Sequence, residues 1–489
     1  MTQQELEKYL WGAATALRGT IDAGDYKQYI FPLLFFKRIC DVYDEEFEKA
    51  LKDSDGDLEY AAFAENHHFQ IPKGVHWNDV RNKTKNVGQG LQNAMRAIEK
   101  ANPDTLYGIF GDANWTNKDR LSDETLINLV EHYSKHKLSI ANVPDDKLGN
   151  AYEYLIKQFA DDSGHTAAEF YTNRTVVKLM TMIMDPQPGE SVYDPTCGSG
   201  GLLLNCALHL KDEGKEYRTL KLYGQEINLI TSAIARMNMF MHGIEEFSIV
   251  RGDTLANPAF LQNDELKTFN VILANPPYSI KAWDRKAFES DPWGRNLWGT
   301  PPQGCADYAF QQHIQKSLDP LNGRSISLWP HGILFRDSEA EMRRAMIESD
   351  VVDCVIGLGP NMFYNSPMEA CLLVTKNNKE KRKKGKILFI NAVHEVRQEK
   401  SIAYLDRVHI DKIFSAYKSY KEINEFSKIV DAKAVLNNDG KLAINLYVRK
   451  KTEETNSNTI FSYTYEKWQQ SSEHLRDSMK ALFETLEMK

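Results

Sequence analysis

Residues 271–279 read Val-Ile-Leu-Ala-Asn-Pro-Pro-Tyr-Ser, an apolar run that stops at Asn275-Pro276-Pro277-Tyr278. An apolar run followed by two prolines suits a buried strand ending at a sheet edge, because proline lacks the N–H that a ladder requires. The tetrapeptide is therefore expected at a strand's carboxyl end, the edge where an open α/β sheet binds ligands. Asn275 offers a carboxamide oxygen, Tyr278 a flat ring, and the prolines stiffen the turn between them. Such a set suits a planar group with an exocyclic NH2, whose N–H bonds need acceptors and whose ring needs a stacking face. Taken alone, the same four residues also make an ordinary strand-to-turn exit.

On either side of this stretch, strand-like runs at 191–193, 221–224, 247–250, 324–329, 351–358 and 370–375 alternate with helical ones such as 229–241 and 308–318. That alternation predicts a mostly parallel sheet with helices on both faces. Residues 376–386 are strongly basic and lead into another apolar run at 387–391. A solvated loop and a phosphate-backbone contact both fit that charge run. Upstream the pattern is helical, with Leu6, Leu10 and Leu17 near one face and Ile30, Leu33, Leu34, Ile39 and Val42 on a second stripe. A further helix at 145–159 carries Leu148, Tyr152, Leu155, Ile156 and Phe159 on one side, and Asp161-Asp-Ser-Gly164 breaks it. From about 411 the chain turns polar and helical again, ending with Trp468, Leu475, Met479 and Leu482 at amphipathic spacing. The expected division is a helical domain over 1–160, an α/β catalytic domain over 161–410 and a helical C-terminal partner-binding region over 411–489.

A formal net charge of -8 argues against a chain that coats DNA by bulk electrostatics. The six cysteines are scattered with no Cys-x-x-Cys pair, so neither a zinc cluster nor a disulfide framework is expected, and no metal site is indicated. The longest strongly apolar stretch, 29–36, contains Pro32 and is far shorter than the roughly 20 residues of a membrane span. The first residues lack the basic start and apolar core of a signal peptide, so a cytoplasmic protein is expected.

A second site precedes the first. Asp194-Pro-Thr-Cys-Gly198-Ser199-Gly200-Gly201 follows the first strand and opens a helix, and glycines there let the backbone approach a ligand closely. No lysine follows, which sets this turn apart from a nucleotide triphosphate loop. The second strand ends at Glu226 and the third at Asp253, so three successive strands end in acids at one edge. That arrangement suits a nucleoside-containing cofactor, with Glu226 where a ribose diol would lie.

The glycine turn, the strand-end acids and the Asn275–Tyr278 motif resemble the S-adenosylmethionine-dependent amino-group methyltransferases. Phe170-Tyr-Thr-Asn-Arg174, Ala306-Asp-Tyr-Ala-Phe310, Gly332-Ile-Leu-Phe-Arg336, Asn361-Met-Phe-Tyr364 and the helical Phe31-Pro-Leu-Leu-Phe-Phe-Lys-Arg-Ile39 narrow the resemblance to the modification subunit of type I restriction-modification systems. It covers most of the chain to about residue 400.

The resemblance implies an S-adenosylmethionine cofactor held by Glu169, Phe170, Tyr171, Thr172, Asn173 and Arg174 over its methionine part, with Asp194, Gly198, Ser199, Gly200 and Gly201 forming a cradle. Glu226 would hold the ribose, Asp253 would address the adenine, and Asn275 would border the cofactor. Asn173 departs from the family's usual proline. Asn275, Pro276, Pro277 and Tyr278 would be catalytic in adenine N6 methylation of a flipped-out base, with Phe363 or Tyr364 as a second ring. The implied partners are double-stranded DNA, a specificity subunit, a second modification subunit and a restriction and translocase subunit. Protein-glutamine methylation, cytosine N4 methylation and a non-catalytic scaffold remain open as rival readings.

Overall fold

In the computed structural model, which describes residues 1–17, 21, 23–162, 172–362, 368–399 and 402–449, the run at 271–274 is a fully buried strand inside a nine-stranded sheet. In chain order the strands are β1 (Ser191–Asp194), β2 (Lys221–Glu226), β3 (Phe247–Arg251), β4 (Val271–Ala274), β5 (Arg324–Pro330), β6 (Val352–Leu358), β7 (Ala370–Lys376), β8 (Lys386–Ala392) and β9 (Ser427–Asp431). Their spatial order is β9-β8-β6-β7-β5-β4-β1-β2-β3. β7 runs antiparallel to β5 and β6, and β9 to β8; every other pairing is parallel. The expected α/β, Rossmann-like class therefore holds. β9 is an addition, since it falls in the stretch that reads as helical.

The chain winds outward from β1 through β2 to β3 and then returns to lay β4 on β1's other side, with Val192 beside Val271 and Tyr193 beside Ile272. This reversal creates a switch point, where the loops leaving two adjacent strands diverge and open a crevice. Alternation along the strands fills two layers. Leu273, Ile326 and Ile356 enter one core, while Trp329, Val355 and Phe389 enter the other.

Upstream lie α1 (Gln3–Ala16), α2 (Lys27–Asp53), α3 (Val87–Ala101), α4 (Asp123–Tyr133) and α5 (Asp145–Asp162). α1 starts at a capping box, in which the Thr2 hydroxyl accepts the Glu5 N–H and the Glu5 carboxylate accepts the Thr2 N–H. α2 is buried from Tyr29 to Val42, which makes it the central helix of this layer. On it, Arg38 donates to the carbonyls of Leu138 and Val143 and pairs with Asp145 at 2.7 Å, pinning the start of α5.

Among the helices that flank the sheet are α6 (Arg174–Met184), α7 (Gly201–Asp212) and α8 (Leu229–Met241). α8 joins the two halves. Its Ile234 and Met237 belong to the helical core, its Ala235 and Met239 to the sheet core, and Tyr152 donates to the Ile234 carbonyl at 3.2 Å.

At the end of α8, His242 is 3% exposed and packs so tightly on α5 that a Cβ at Gly149 would lie 2.4 Å from its Nδ1. Burial, helped by the Arg174 charge, lowers its pKa to about 4. The folded state thus holds the neutral imidazole, whereas the unfolded chain binds a proton from about pH 6.5 downward. Stability that is full above pH 6.5 should fall by on the order of 3 kcal/mol as pH drops toward 4. Replacing His242 with glutamine should flatten that part of a stability-against-pH curve measured by denaturant titration. A wild-type slope retained in the variant would assign it elsewhere.

The basic run is partly interior. Lys379 is 3% exposed, donating to the carbonyls of Val352 and Lys386, and Lys383 is 7% exposed, packed over the Tyr417 and Tyr420 rings. Both sit where β6 and β8 begin, at the edge opposite Asn275. The solvated-loop reading thus covers only part of this run. No helix among the described residues is long and apolar enough to cross a membrane.

Candidate active site

At the switch point, Asp194 ends β1 and Asn275 follows β4, so the glycine turn and the proline turn leave adjacent strands side by side. The glycine turn needs its composition. Gly198 and Gly200 have φ of +54° and +80°, and a Cβ on Gly224 of the neighbouring strand would lie 2.9 Å from Cys197 Sγ. A Cβ on Gly201 would meet nothing within 4 Å, which leaves open space above the start of α7.

Glu226, 7% exposed, closes the turn from β2. Its Oε2 accepts the Gly198 N–H at 3.0 Å and its Oε1 the Asn228 N–H at 2.8 Å. Asp194, 1% exposed, accepts the Thr196 N–H at 3.0 Å. Burial pushes the Asp194 carboxyl up to about 8, against the pull of that N–H and with help from the Glu226 charge, and burial likewise raises Glu226. Neither carboxyl has an ion-pair partner among the described residues. Two buried acids without a cation, beside an open backbone cradle, are suited to a ligand that brings hydroxyls and positive charge. Asp253, at the end of β3, folds into a turn whose Oδ1 accepts the N–H groups of Leu255 and Ala256 at 2.9 and 3.1 Å. Ile227, which sequence reasoning passed over, stands 61% exposed beside Glu226 and offers an apolar wall.

Across the crevice, Asn275 Nδ2 donates to Thr172 Oγ1 at 2.9 Å, and Tyr278 donates its hydroxyl to Asn275 Oδ1. The amide is therefore held from both sides, with its oxygen on the side that a hydrogen-bond donor already reaches. Tyr278 is half-buried, its ring 6.3 Å from that of Trp329, and burial holds the phenol well above its usual range, so it stays neutral.

The segment expected over the cofactor divides. Glu169, Phe170 and Tyr171 lie outside the described residues, as do Phe363 and Tyr364. Thr172 reaches Asn275. Asn173 is 2% exposed and caps α6, its Oδ1 accepting the Thr175 N–H at 3.0 Å while its Nδ2 donates to the Ala403 carbonyl at 2.8 Å. The side chain that departs from the family's proline is thus committed to the fold, and it does a helix cap's work. Arg174 pairs with the buried Glu153 of α5 at 2.8 Å.

Sequence reasoning also missed Arg295. With Asp291 it forms an ion pair at 2.6 Å, both side chains 1% exposed, and it donates to the carbonyls of Thr254 and Leu255 at 2.9 and 2.7 Å. The excursion after Tyr278 is thereby tied to the loop after Asp253. Thr254 in turn donates to the Pro195 carbonyl of the glycine turn at 2.5 Å. Three loops from three strands share one buried network.

Residues 143–456 match the family model described as N-6 DNA Methylase, and residues 6–133 match the HsdM N-terminal domain. The chain belongs to the N-6 DNA methylase family. It is 30% identical to the type I restriction enzyme MpnII methylase subunit of Mycoplasma pneumoniae, over 92% of this chain and 90% of that one. It is 28% identical to the MjaVII methylase subunit of Methanocaldococcus jannaschii, over 91% of this chain and 78% of that one. Among solved structures, the type I restriction-modification system methyltransferase subunit of Streptococcus thermophilus superimposes with a TM-score of 0.79 at 30% identity, over 92% of this chain and all of that one. The methylase is accordingly a type I methylase subunit, in agreement with the family and enzyme class that its motifs imply.

Proposed function

We propose that this methylase transfers a methyl group from S-adenosylmethionine to N6 of an adenine turned out of double-stranded DNA, with a separate subunit supplying sequence specificity. The observation that carries the reading is the oriented Asn275 carboxamide on one lip of the crevice, opposite the buried acids and glycine cradle on the other. Bound in that cradle, S-adenosylmethionine supplies an electrophilic methyl group on a sulfonium. Glu226 and Asp253 would hold its nucleoside part, and Asp194 with Ser199, Gly200 and Gly201 its amino-acid part.

The chain's own contribution concerns the amine. Adenine's amino lone pair is delocalised into the ring, which makes it a weak nucleophile. Asn275 Oδ1 and the Pro276 carbonyl accept its two N–H bonds and draw the nitrogen toward a tetrahedral geometry with a localised lone pair. As N6 takes the methyl, the C–S bond electrons would leave with the thioether of S-adenosylhomocysteine and the surplus N–H proton would pass to water. The Tyr278 hydroxyl, which now occupies Asn275 Oδ1, gives way to the incoming amine. Its ring then stacks on the base and offsets part of the few kcal/mol that extrusion costs. The net charge of -8 suits a division of labour in which a DNA-reading partner supplies the positive field. We assign the helical domain over 1–160 and the region from 411 onward to contacts with the specificity subunit and a second methylase copy, and place a restriction and translocase subunit outside them.

Nucleoside digestion of DNA incubated with labelled S-adenosylmethionine and the methylase, with and without a co-expressed specificity subunit, tests this reading. N6-methyladenine formed only with the partner supports it. N4-methylcytosine, methyl label on protein glutamine, or no label with the partner bound would each overturn it.

A further inference from the structure

Ser279, immediately after the catalytic tetrapeptide, has φ +52°, a left-handed conformation that is costly for a residue with a Cβ. Glycine would adopt it freely, so the serine must be held there. Two segments far apart in sequence hold it. Asp307, fully buried at the start of α9 (Asp307–Lys316), accepts the Ser279 N–H on Oδ1 at 2.7 Å. Arg336 reaches in from the segment after β5, bonding Asp307 Oδ2 and standing 3.5 Å from Ser279 Oγ. Its Nε donates to Glu339 Oε2 at 2.8 Å, and Glu339 is itself fully buried. Cys305, Asp307 and Glu339 converge closely enough to suit a metal ion, but the Arg336 guanidinium lies against both carboxylates and takes the place a cation would fill.

A buried carboxylate on one backbone amide, itself fixed by an arginine that a second buried carboxylate holds, amounts to more than a turn needs. We propose that Asp307 is a positioning residue for methyl transfer, clamping Ser279, and through it Tyr278 and Asn275, in the geometry that receives the target amine, with Arg336 and Glu339 fixing the clamp. This rests on the reading of the proline turn as the amine site. Asp307 touches neither the base nor the cofactor. It acts on the turn alone, so its loss should slow the transfer step without weakening either ligand.

The test uses the complete methylase complex carrying D307A or D307N. Hydrogen exchange at the Ser279 amide, followed by mass spectrometry, reads the clamp without reference to activity. D307A should raise that exchange at least about tenfold and lower kcat about 100-fold, the scale of a misplacement near 1 Å. The KM for DNA and calorimetric affinity for S-adenosylhomocysteine should stay within about threefold. D307N keeps an acceptor for the Ser279 N–H but turns an NH2 toward Arg336, so it should recover part of kcat.

Wild-type exchange and kcat in a folded D307A complex would overturn the inference. So would an equal loss of S-adenosylhomocysteine affinity, or a D307N as impaired as D307A. Should D307A not fold, R336K decides, since it keeps the charge but not the forked grip. Raised exchange with about a tenfold lower kcat supports the clamp, and wild-type values sink it. A wild-type complex that methylates no DNA would defeat the proposed function, whereas the exchange measurement would still judge the clamp.

Discussion

Replacing Asn275 with alanine should abolish DNA methylation, lowering kcat by about 10³-fold or more while leaving the fold and cofactor affinity near wild type. The magnitude follows from what the side chain does. A preorganised acceptor aimed at a reacting group lowers the barrier by about 3–4 kcal/mol, as removal of single donors from other polarised sites shows. Asn275 also orients the amine, so truncation removes position as well as polarity. Among the described residues its amide is anchored by Thr172 and Tyr278, outside the buried core, so its loss should cost the fold little. Single-turnover methyl transfer, with melting temperature as a control, measures both. N275D should also be poor, because a carboxylate lacks the N–H that Asn275 donates to Thr172 and brings a charge to a crevice in which burial already holds the Asp194 carboxyl up to about 8. A folded N275A complex within about tenfold of wild type would remove Asn275 from the chemistry.

Replacing Glu226 with alanine should act on the other ligand. Two good acceptor bonds to ribose hydroxyls would be lost, and the Gly198 and Asn228 N–H groups would lose their partner, so cofactor affinity should fall by about 10²-fold or more. Saturating cofactor should restore most of kcat. Calorimetry with S-adenosylhomocysteine reads the loss directly, and E226Q, which keeps an acceptor for the turn, should fall between the two. Unchanged affinity in E226A would place the cofactor elsewhere.

What could be read from the chain alone follows the range of the forces involved. The strand at 271–274 was legible because burial and proline act locally, and the glycine turn because left-handed backbone demands a particular residue. That β1 and β4 are neighbours was not legible from any one stretch, since it depends on the chain's return from β3 to β1's other side. β9 escaped because Ser427–Asp431 is short and lies at the sheet's edge, with Ile429 and Val430 adjacent and no polar–apolar alternation to mark it. Asn173 carried a readable signal, an amide just before Arg-Thr-Val-Val, but its place beside the cofactor motif drew attention from its value as a cap. Lys379 and Lys383 read as solvated because charge runs usually are, and only packing against Asp350, Asp353 and the tyrosines reveals their burial. Arg295 and Asp307 reach carbonyls or amides some 40 and 28 residues away, a relation no periodicity encodes.

The most direct test of the account is the structure of the methylase with its specificity subunit, a DNA duplex carrying its target site and S-adenosylhomocysteine. An adenine should lie outside the helix, its N6 about 3 Å from Asn275 Oδ1 and from the Pro276 carbonyl, its ring on Tyr278, and the ribose of the nucleoside on Glu226. A target base seated away from the proline turn, or a nucleoside bound away from Glu226, would contradict it.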